Sequence, residues 1–433
     1  MPWFAAIPFI LLACAGGVCA LYYAIVLYNV ALTERTVPTL REGLEKRAPD
    51  PRATHWPSIT VVIPAHNEQD VIGRLAGSIR DHVYDGELHA VFVLDRCTDD
   101  TERVLAEQIG DDDRFEVIIN EACPGDWSGK THAVWRGVQE SAGARDADLL
   151  LFTDADCWLE PGCLTAAVRL LARRRLGMLS LLPSLTTAQP FERVEQPAAG
   201  LELVRQFPLT RVNRRDRPRR FANGQFMLFT RAAYDLLGGH EAVKDAVLED
   251  LAFARLARRV GPVHVGVFMA AGLFRCSMYR SPAEFRRGWK RIFQEAAYCR
   301  PSVLRRNAAR LRLVGMALPA LAVTCLSASA VPLLLTDQRL ALAMAILGGA
   351  GLFTFAYALW RIYRTQGVPA RAVLVYPLGA ARVASVLAEG AHDIEQGRAT
   401  EWAGMTYDRR AGHPEGAHDV PRAETVPTRE PTS

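Results

Sequence analysis

Two acidic segments, far apart in the chain, combine residue type and local context in a way that suits chemistry on a charged ligand. Asp95 closes an apolar run, Val-Phe-Val-Leu, and Asp154 and Asp156 close a second, Leu149 to Phe152. A hydrophobic strand ending in Asp-x-Asp places two carboxylates at a sheet edge, where they can reach one hard cation. Magnesium or manganese takes oxygen ligands and keeps positions open for phosphate oxygens. The plainer alternative is that these aspartates cap the helices that follow, a role that suits Asp99 and Asp100. For Asp156 metal binding is favoured, because two carboxylates so close are costly without a cation.

The elements that would hold these residues are legible on either side. Ile59 to Ile63 is a short β-branched run ending at Pro64, and Val71, Leu75 and Ile79 recur at helical spacing. Ala90 to Leu94 predicts a second strand and Asp99 to Ile109 a second helix. Phe115 to Ile119 predicts a third strand, Lys130 to Ser141 a helix, and Leu149 to Phe152 a fourth, fully apolar strand. Apolar strands alternating with helices predict a mostly parallel sheet covered on both faces. Ligands of such sheets bind beyond the carboxyl ends of the strands.

Composition bounds the rest. Half of the 433 residues are hydrophobic, and the formal charge of +4 is too small to imply nucleic acid. The apolar residues are segregated. Phe4 to Leu27 carries no charge and exceeds the ~20 residues that cross a bilayer. With no basic residue before it, it does not read as a signal peptide. Arg35, Arg41, Lys46, Arg47 and Arg52 follow it, so the middle of the chain faces the cytoplasm by the positive-inside tendency. Leu313 to Thr336 and Leu340 to Trp360, separated by Asp337, Gln338 and Arg339, predict a tight membrane hairpin. Its flanks, Arg305, Arg306, Arg310 and Arg312 before and Arg361, Arg364 and Arg371 after, are both basic and agree with that orientation. Val373 to Ala388, interrupted by Arg382, is either a fourth span or a helix lying in the interface. Pro282 to Arg312 reads as amphipathic helices on the membrane surface. The basic run Arg211 to Arg220 either meets anionic headgroups or is a solvated loop. The tail after about Arg409 has almost no large apolar residues and reads as disordered. Nine cysteines at irregular spacing, with no matching ligand pairs, read as reduced buried thiols. The expected plan is an anchor at 1–33, a catalytic domain at 56–280 and interface helices at 281–312. A hairpin with a further span or interfacial helix follows at 313–390, and a polar, partly disordered tail at 391–433.

Val61 to Glu68 (Val-Val-Ile-Pro-Ala-His-Asn-Glu), the Asp95 segment and Asp154-Ala-Asp156 together resemble the opening half of the family 2 glycosyltransferases of GT-A fold. The pattern is most similar to a membrane branch of hopene-associated, ceramide-glucosyltransferase-like and carotenoid-glycosyltransferase-like enzymes. Gly125 to Lys130 resembles that branch's tryptophan-glycine-lysine loop, Asn223 to Phe229 its acceptor-side strand, and Leu248 to Leu251 the motif carrying the catalytic base. The motifs cover about Ser58 to Trp289. The resemblance implies an α/β, Rossmann-like GT-A domain between N-terminal and C-terminal transmembrane helices. It implies that Pro64, Ala65, Asn67 and Glu68 hold the nucleotide, with His66 nearby by position, and that Asp95 accepts a hydrogen bond from uracil N–H. Asp154 would sit by the ribose or metal, and Asp156 would ligate the metal. Lys130 would offer charge to the diphosphate or sugar, against the alternative of an exposed lysine at a helix start. Asp250 would be the general base, although Glu249 and Asp250 also suit the start of a helix from Leu251 to Val260. Gly224, Gln225 and Glu249 would contact diphosphate or acceptor. His132 and His240 read as polar loop or helix residues.

One departure stands out. Where many members carry Gln-x-x-Arg-Trp, this chain has Phe-Arg-Arg-Gly-Trp, Phe285 to Trp289. Trp289 is kept, and Arg286 or Arg287 would have to supply the cation from a shifted position. The departure and the small number of spans argue against processive polymer synthesis. The expected activity is therefore inverting, Mg2+- or Mn2+-dependent transfer of a sugar from a nucleotide diphosphate, UDP by resemblance, to a hydroxyl of a lipid or isoprenoid-derived acceptor. The setting would be the cytoplasmic face of the cell membrane, with a multi-pass chain and no nucleic-acid partner. A polysaccharide synthase is the alternative within the same chemistry. A nucleotide-binding scaffold or transporter component is the alternative outside it, although the spans lack the buried acidic residues and broken segments of a transport path.

Overall fold

The computed structural model describes residues 3–45, 56–261, 263–335, 337–398, 400–402 and 405–407. Lys46, Arg47, Arg52 and the tail after Arg409 lie outside the described residues. The strands are β1 (Ile59–Ala65), β2 (Leu88–Asp95), β3 (Phe115–Asn120), β4 (Leu149–Thr153), β5 (Cys157–Leu159), β6 (Met178–Leu182), β7 (Ser184–Leu185), β8 (Phe226–Thr230), β9 (Val265–Met269) and β10 (Phe274–Cys276), with a separate short antiparallel pair at Thr400–Trp402 and Met405–Tyr407. Seven of them form one sheet in the order β3-β2-β1-β4-β8-β6-β9. Only β8 runs against its neighbours, β4 and β6. The expected α/β, mostly parallel sheet is borne out. The four strands read from the sequence sit side by side, with β1 between β2 and β4.

The reason lies in the side chains. β1 and β4 are buried on both faces, so no polar alternation is available, and helices must cover each side. Helices α1 (Ile72–Arg80) and α2 (Thr101–Ile109) follow β1 and β2, and α3 (Gly129–Glu140) follows β3. Val62, Val91 and Val93 pack with Ala133, Val134 and Val138 of α3, whereas Val61 and Ile63 face Leu75 and Ile79 of α1. Each such fully buried aliphatic side chain contributes about 1.5–3 kcal/mol. The capping expectation holds for one aspartate of two. Asp99 Oδ1 accepts from the Thr101 N–H at 3.1 Å, whereas Asp100 makes no side-chain cap.

Among the described residues, four helices have the length and composition to cross a membrane: Phe4–Thr36, Pro301–Leu334, Gln338–Gln366 and Ala370–Glu395. The first packs along the third, and Asp337 N-caps the third where the chain turns between the hairpin helices. The outward faces of these helices stay apolar and exposed, including Leu11, Leu21, Ile346 and Phe353. The fourth differs. Its C-terminal part, Tyr376–Glu395, packs on Pro282–Ala296 and Pro301–Arg312, the two segments expected to lie on the membrane surface. It meets them through ion pairs of Glu389 with Arg286, Asp393 with Lys290 and Glu395 with Arg305, and its Arg382 pairs separately with Glu195, ahead of the helix Gln196–Gln206.

Candidate active site

All the carboxyl ends of the central parallel strands open onto one cleft of about 650 Å3. The loop after β1 begins it. Asn67 adopts a left-handed backbone (φ 58°), a conformation asparagine tolerates better than most residues. Its side-chain oxygen accepts from the Thr98 N–H at 2.8 Å, which ties this loop to the loop after β2. His66 Nδ1 lies 2.6 Å from the carbonyl oxygen of Asp95. The buried Asp95 carboxylate accepts from Arg96 (2.7 and 3.0 Å) and from the Asn120 amide (2.6 Å). A carboxylate offers about four lone-pair directions, so Asp95 keeps capacity for one further donor.

The opposite wall is built from charge. Lys130, at the start of α3, reaches across to Asp154 Oδ1 (2.7 Å) and Glu249 Oε1 (2.6 Å). Asp154 follows β4, and Glu249 and Asp250 begin the helix α4 (Glu249–Val260). Asp250 accepts from the backbone N–H of Leu251 (2.6 Å) and of Gly224 (2.8 Å). Space at Gly224 is tight. A Cβ at that position would sit 3.0 Å from Glu249 Oε1 and 3.4 Å from Asp250 Oδ2. The lysine is thus a bridge between two carboxylates and not an exposed helix-start residue.

These contacts set the protonation pattern. Burial alone would push the Lys130 ammonium down, but Asp154 and Glu249 outweigh it and hold the charge firmly on. Burial would also raise Glu249, but Lys130 keeps its carboxyl below the ordinary value. Asp250 is pushed up to about 7, first by burial and then by the Glu249 charge. Asp156 is pushed up to about 7 by burial and by Asp154, and Glu68 to about 8 by burial and by Asp156. A diphosphate arriving beside these carboxylates would meet repulsion unless a cation came with it. Asp156 has no cationic side chain paired to it among the described residues, so the donor set fits a divalent metal at that point.

Every expected site residue except one lines this cleft: Pro64, Ala65, Asn67, Glu68, Asp95, Lys130, Asp154, Asp156, Gly224, Gln225, Glu249, Asp250, Arg287 and Trp289. The exception is Arg286, which turns away and pairs with Glu389. The departure at Gly288 has a steric reason, since a Cβ there would lie 2.1 Å from the Tyr279 hydroxyl oxygen. Tyr279 therefore excludes an arginine from the usual place. Another cation lining the cleft is Arg280, which the sequence reading missed. It pairs with Glu68 (3.2 Å) and Asp70 (2.6 Å) across the cleft mouth. No local motif announces it, because its partners lie some two hundred residues earlier. The buried Trp289 indole N–H has no acceptor within the described residues. Away from the carboxylates the cleft turns apolar. Leu203, Val204, Phe207, Phe221 and Ile292 line it as far as Thr365, Gln366 and Val368, at the end of the third membrane-length helix. His132 and His240 sit outside the cleft lining, and burial holds the His240 ring neutral, at about 3.

Comparison with known proteins agrees with this picture. Residues 57–281 match the family described as glycosyltransferase like family 2. Over 115 residues the chain is 28% identical to the glycosyltransferase AglE of Haloferax volcanii, covering 25% of this chain and 35% of the relative. Over 202 residues it is 27% identical to a 4,4'-diaponeurosporenoate glycosyltransferase of Staphylococcus aureus, covering 45% of this chain and 50% of the relative. The matched stretch thus spans half or less of these curated relatives. Among solved structures, a mannosyltransferase from Pyrobaculum calidifontis in complex with GDP-Man and Mn2+ aligns over 80% of this chain and 99% of its own. The identity is 17% and the TM-score 0.40.

Proposed function

The chain belongs to glycosyltransferase like family 2 and is a glycosyltransferase, and from that premise we propose that it moves one sugar from a nucleotide diphosphate to an amphiphilic acceptor at the cytoplasmic membrane face. The observation that carries the reading is the single cleft. Its acidic end gathers Asp95, Asp156 and Asp250 from three separate stretches of chain, and its apolar end reaches the base of a membrane-length helix. We place the catalytic domain at 56–280 and the interface helices at 281–312. The helix Tyr376–Glu395 lies in the interface with them, since its ion pairs with Arg286, Lys290 and Arg305 would be costly in hydrocarbon. The basic run Arg211 to Arg220 is mostly exposed and suits anionic headgroups.

In this reading the Pro64 to Glu68 loop and Asp95 hold the nucleotide, UDP by family resemblance. Asp156 is the ligand of a divalent cation, which would neutralise charge on the departing diphosphate. Lys130 keeps Glu249 ionised, and the Glu249 charge in turn raises Asp250. Asp250, held by the N–H groups of Gly224 and Leu251, takes the proton of the acceptor hydroxyl. The acceptor oxygen then bonds to the anomeric carbon from the face opposite the diphosphate, and the nucleotide leaves with the bonding pair, inverting the centre. A carboxylate acceptor, as the name of the staphylococcal relative indicates for that enzyme, is the second reading. It carries no proton and would not require the base.

The test is to incubate membranes containing the protein with labelled UDP-sugars and GDP-sugars and to weigh the extracted lipids. One added hexose mass, dependent on Mn2+ or Mg2+, is the expected result. A ladder of added sugars would instead favour a polysaccharide synthase. No lipid product and no cation-dependent donor hydrolysis by the purified protein would sink the transferase reading.

A further inference from the structure

Behind the cleft floor, two cysteines flank Asp156. Cys157 begins β5 and Cys276 ends β10, and the antiparallel register sets the two directly opposite each other. Both are buried and free. The Asp156 carboxylate oxygen Oδ1 lies 3.3 Å from Cys157 Sγ and 3.4 Å from Cys276 Sγ. All three ligand atoms lie within 4.8 Å of one another. Zinc holds sulfur at about 2.3 Å and carboxylate oxygen at about 2.0–2.2 Å, so tetrahedral ligation requires S···O separations of about 3.5 Å and an S···S separation of about 3.8 Å. The present S···O spacings already fit that figure without backbone movement. The backbone is fixed as well, since the Ser277 N–H donates to the Asp156 carbonyl oxygen at 2.9 Å.

We infer that Asp156, Cys157 and Cys276 form a three-ligand site for a thiophilic divalent cation of the zinc class, with the fourth position open on the cleft side. Three protein ligands and one open position are the arrangement of a zinc site that can still take up another ligand. Thiolates favour zinc, cobalt or cadmium over magnesium. Occupancy releases two thiol protons to solvent and commits Asp156 to the softer metal. The inference rests on the reading of Asp156 as a cation ligand, but not on sugar transfer. Spacing along the chain concealed the site, because Cys157 and Cys276 are 119 residues apart and only the strand pairing brings them together.

The test uses the purified full chain in detergent, stripped of metal and held in a non-thiol reductant. Titration with Co2+ should give a sulfur-to-cobalt charge-transfer absorption saturating at one equivalent. It should disappear in Cys157→Ser and in Cys276→Ser and persist in Cys123→Ser. No such absorption in the wild type, or its survival in both serine variants, overturns the inference. If the serine variants do not fold, X-ray absorption of the zinc-loaded wild type decides. Two sulfur neighbours at about 2.3 Å support the site, and oxygen and nitrogen neighbours alone overturn it. Manganese-dependent donor hydrolysis without cobalt–sulfur absorption would sink this inference and leave the transferase reading standing. Absorption without donor turnover by any cation would do the reverse.

Discussion

Lys130→Met tests the charge logic of the site most directly. Methionine keeps much of the lysine's length and removes the ammonium, leaving Asp154 and Glu249 without their shared partner. The two losses are unequal. The Asp154 side chain is 31% exposed and the Glu249 side chain only 6%. A partly exposed pair contributes about 0–1 kcal/mol. Removing one partner of a buried pair costs about 3–5 kcal/mol. Because Lys130 is itself a third exposed, the lower end applies, and a loss of about 3 kcal/mol is expected at pH 8. The loss must depend on pH. With Lys130 present, the depressed Glu249 carboxyl contributes stability above its unfolded pKa, and this is lost as pH falls. Without Lys130, burial holds a proton on Glu249, so the gap between wild type and variant grows as pH rises from about 4. The assay is thermal unfolding in detergent at pH 5 and pH 8 for Lys130→Met, Glu249→Gln and the double variant. The double variant should recover much of the loss, with a coupling of about 2 kcal/mol. A variant as stable as wild type at pH 8, or an equal loss at pH 5, would refute the bridge.

Asp250→Asn should lower transfer to a hydroxyl acceptor by about 10²–10⁴-fold while donor binding persists, measured by turnover and calorimetry; unchanged turnover would favour the carboxylate acceptor. Wild-type transfer should rise with pH up to about 7, where Asp250 ionises, and this slope should be absent from the asparagine variant. Without metal, the folded state retains protons on Glu68, Asp156 and Asp250 that the unfolded chain has released, so stability should fall as pH rises from about 4 to about 8. Added Mn2+ should remove the share of that fall that Asp156 contributes, read as the unfolding midpoint. Gly200→Trp, placed where a Cβ lies 3.7 Å from Gln366 Nε2, should block transfer to long-chain acceptors and spare donor hydrolysis; equal transfer to long and short acceptors would show that the apolar arm is not their path.

The sequence by itself determined the first four strands, the order in which they alternate with helices, and the first three membrane-length segments. These are local properties: β1 and β4 have no polar alternation, and the spans have no charge, so neither segment has another stable environment. It also drew attention to nearly all the acidic groups, because strand-end aspartates are recognisable where they stand. What it left open were relations between distant residues. Whether Lys130 bridges two carboxylates depends on how α3 faces α4, and whether Arg286 reaches the cleft depends on Glu389, more than a hundred residues later. Tyr279 displacing an arginine at Gly288, Arg280 closing on Glu68, and two thiols meeting at Asp156 have the same origin. Local propensity places an element, but side-chain partners across the fold are chosen by packing and by the cost of leaving buried charge unpaired, and only the assembled tertiary structure fixes both.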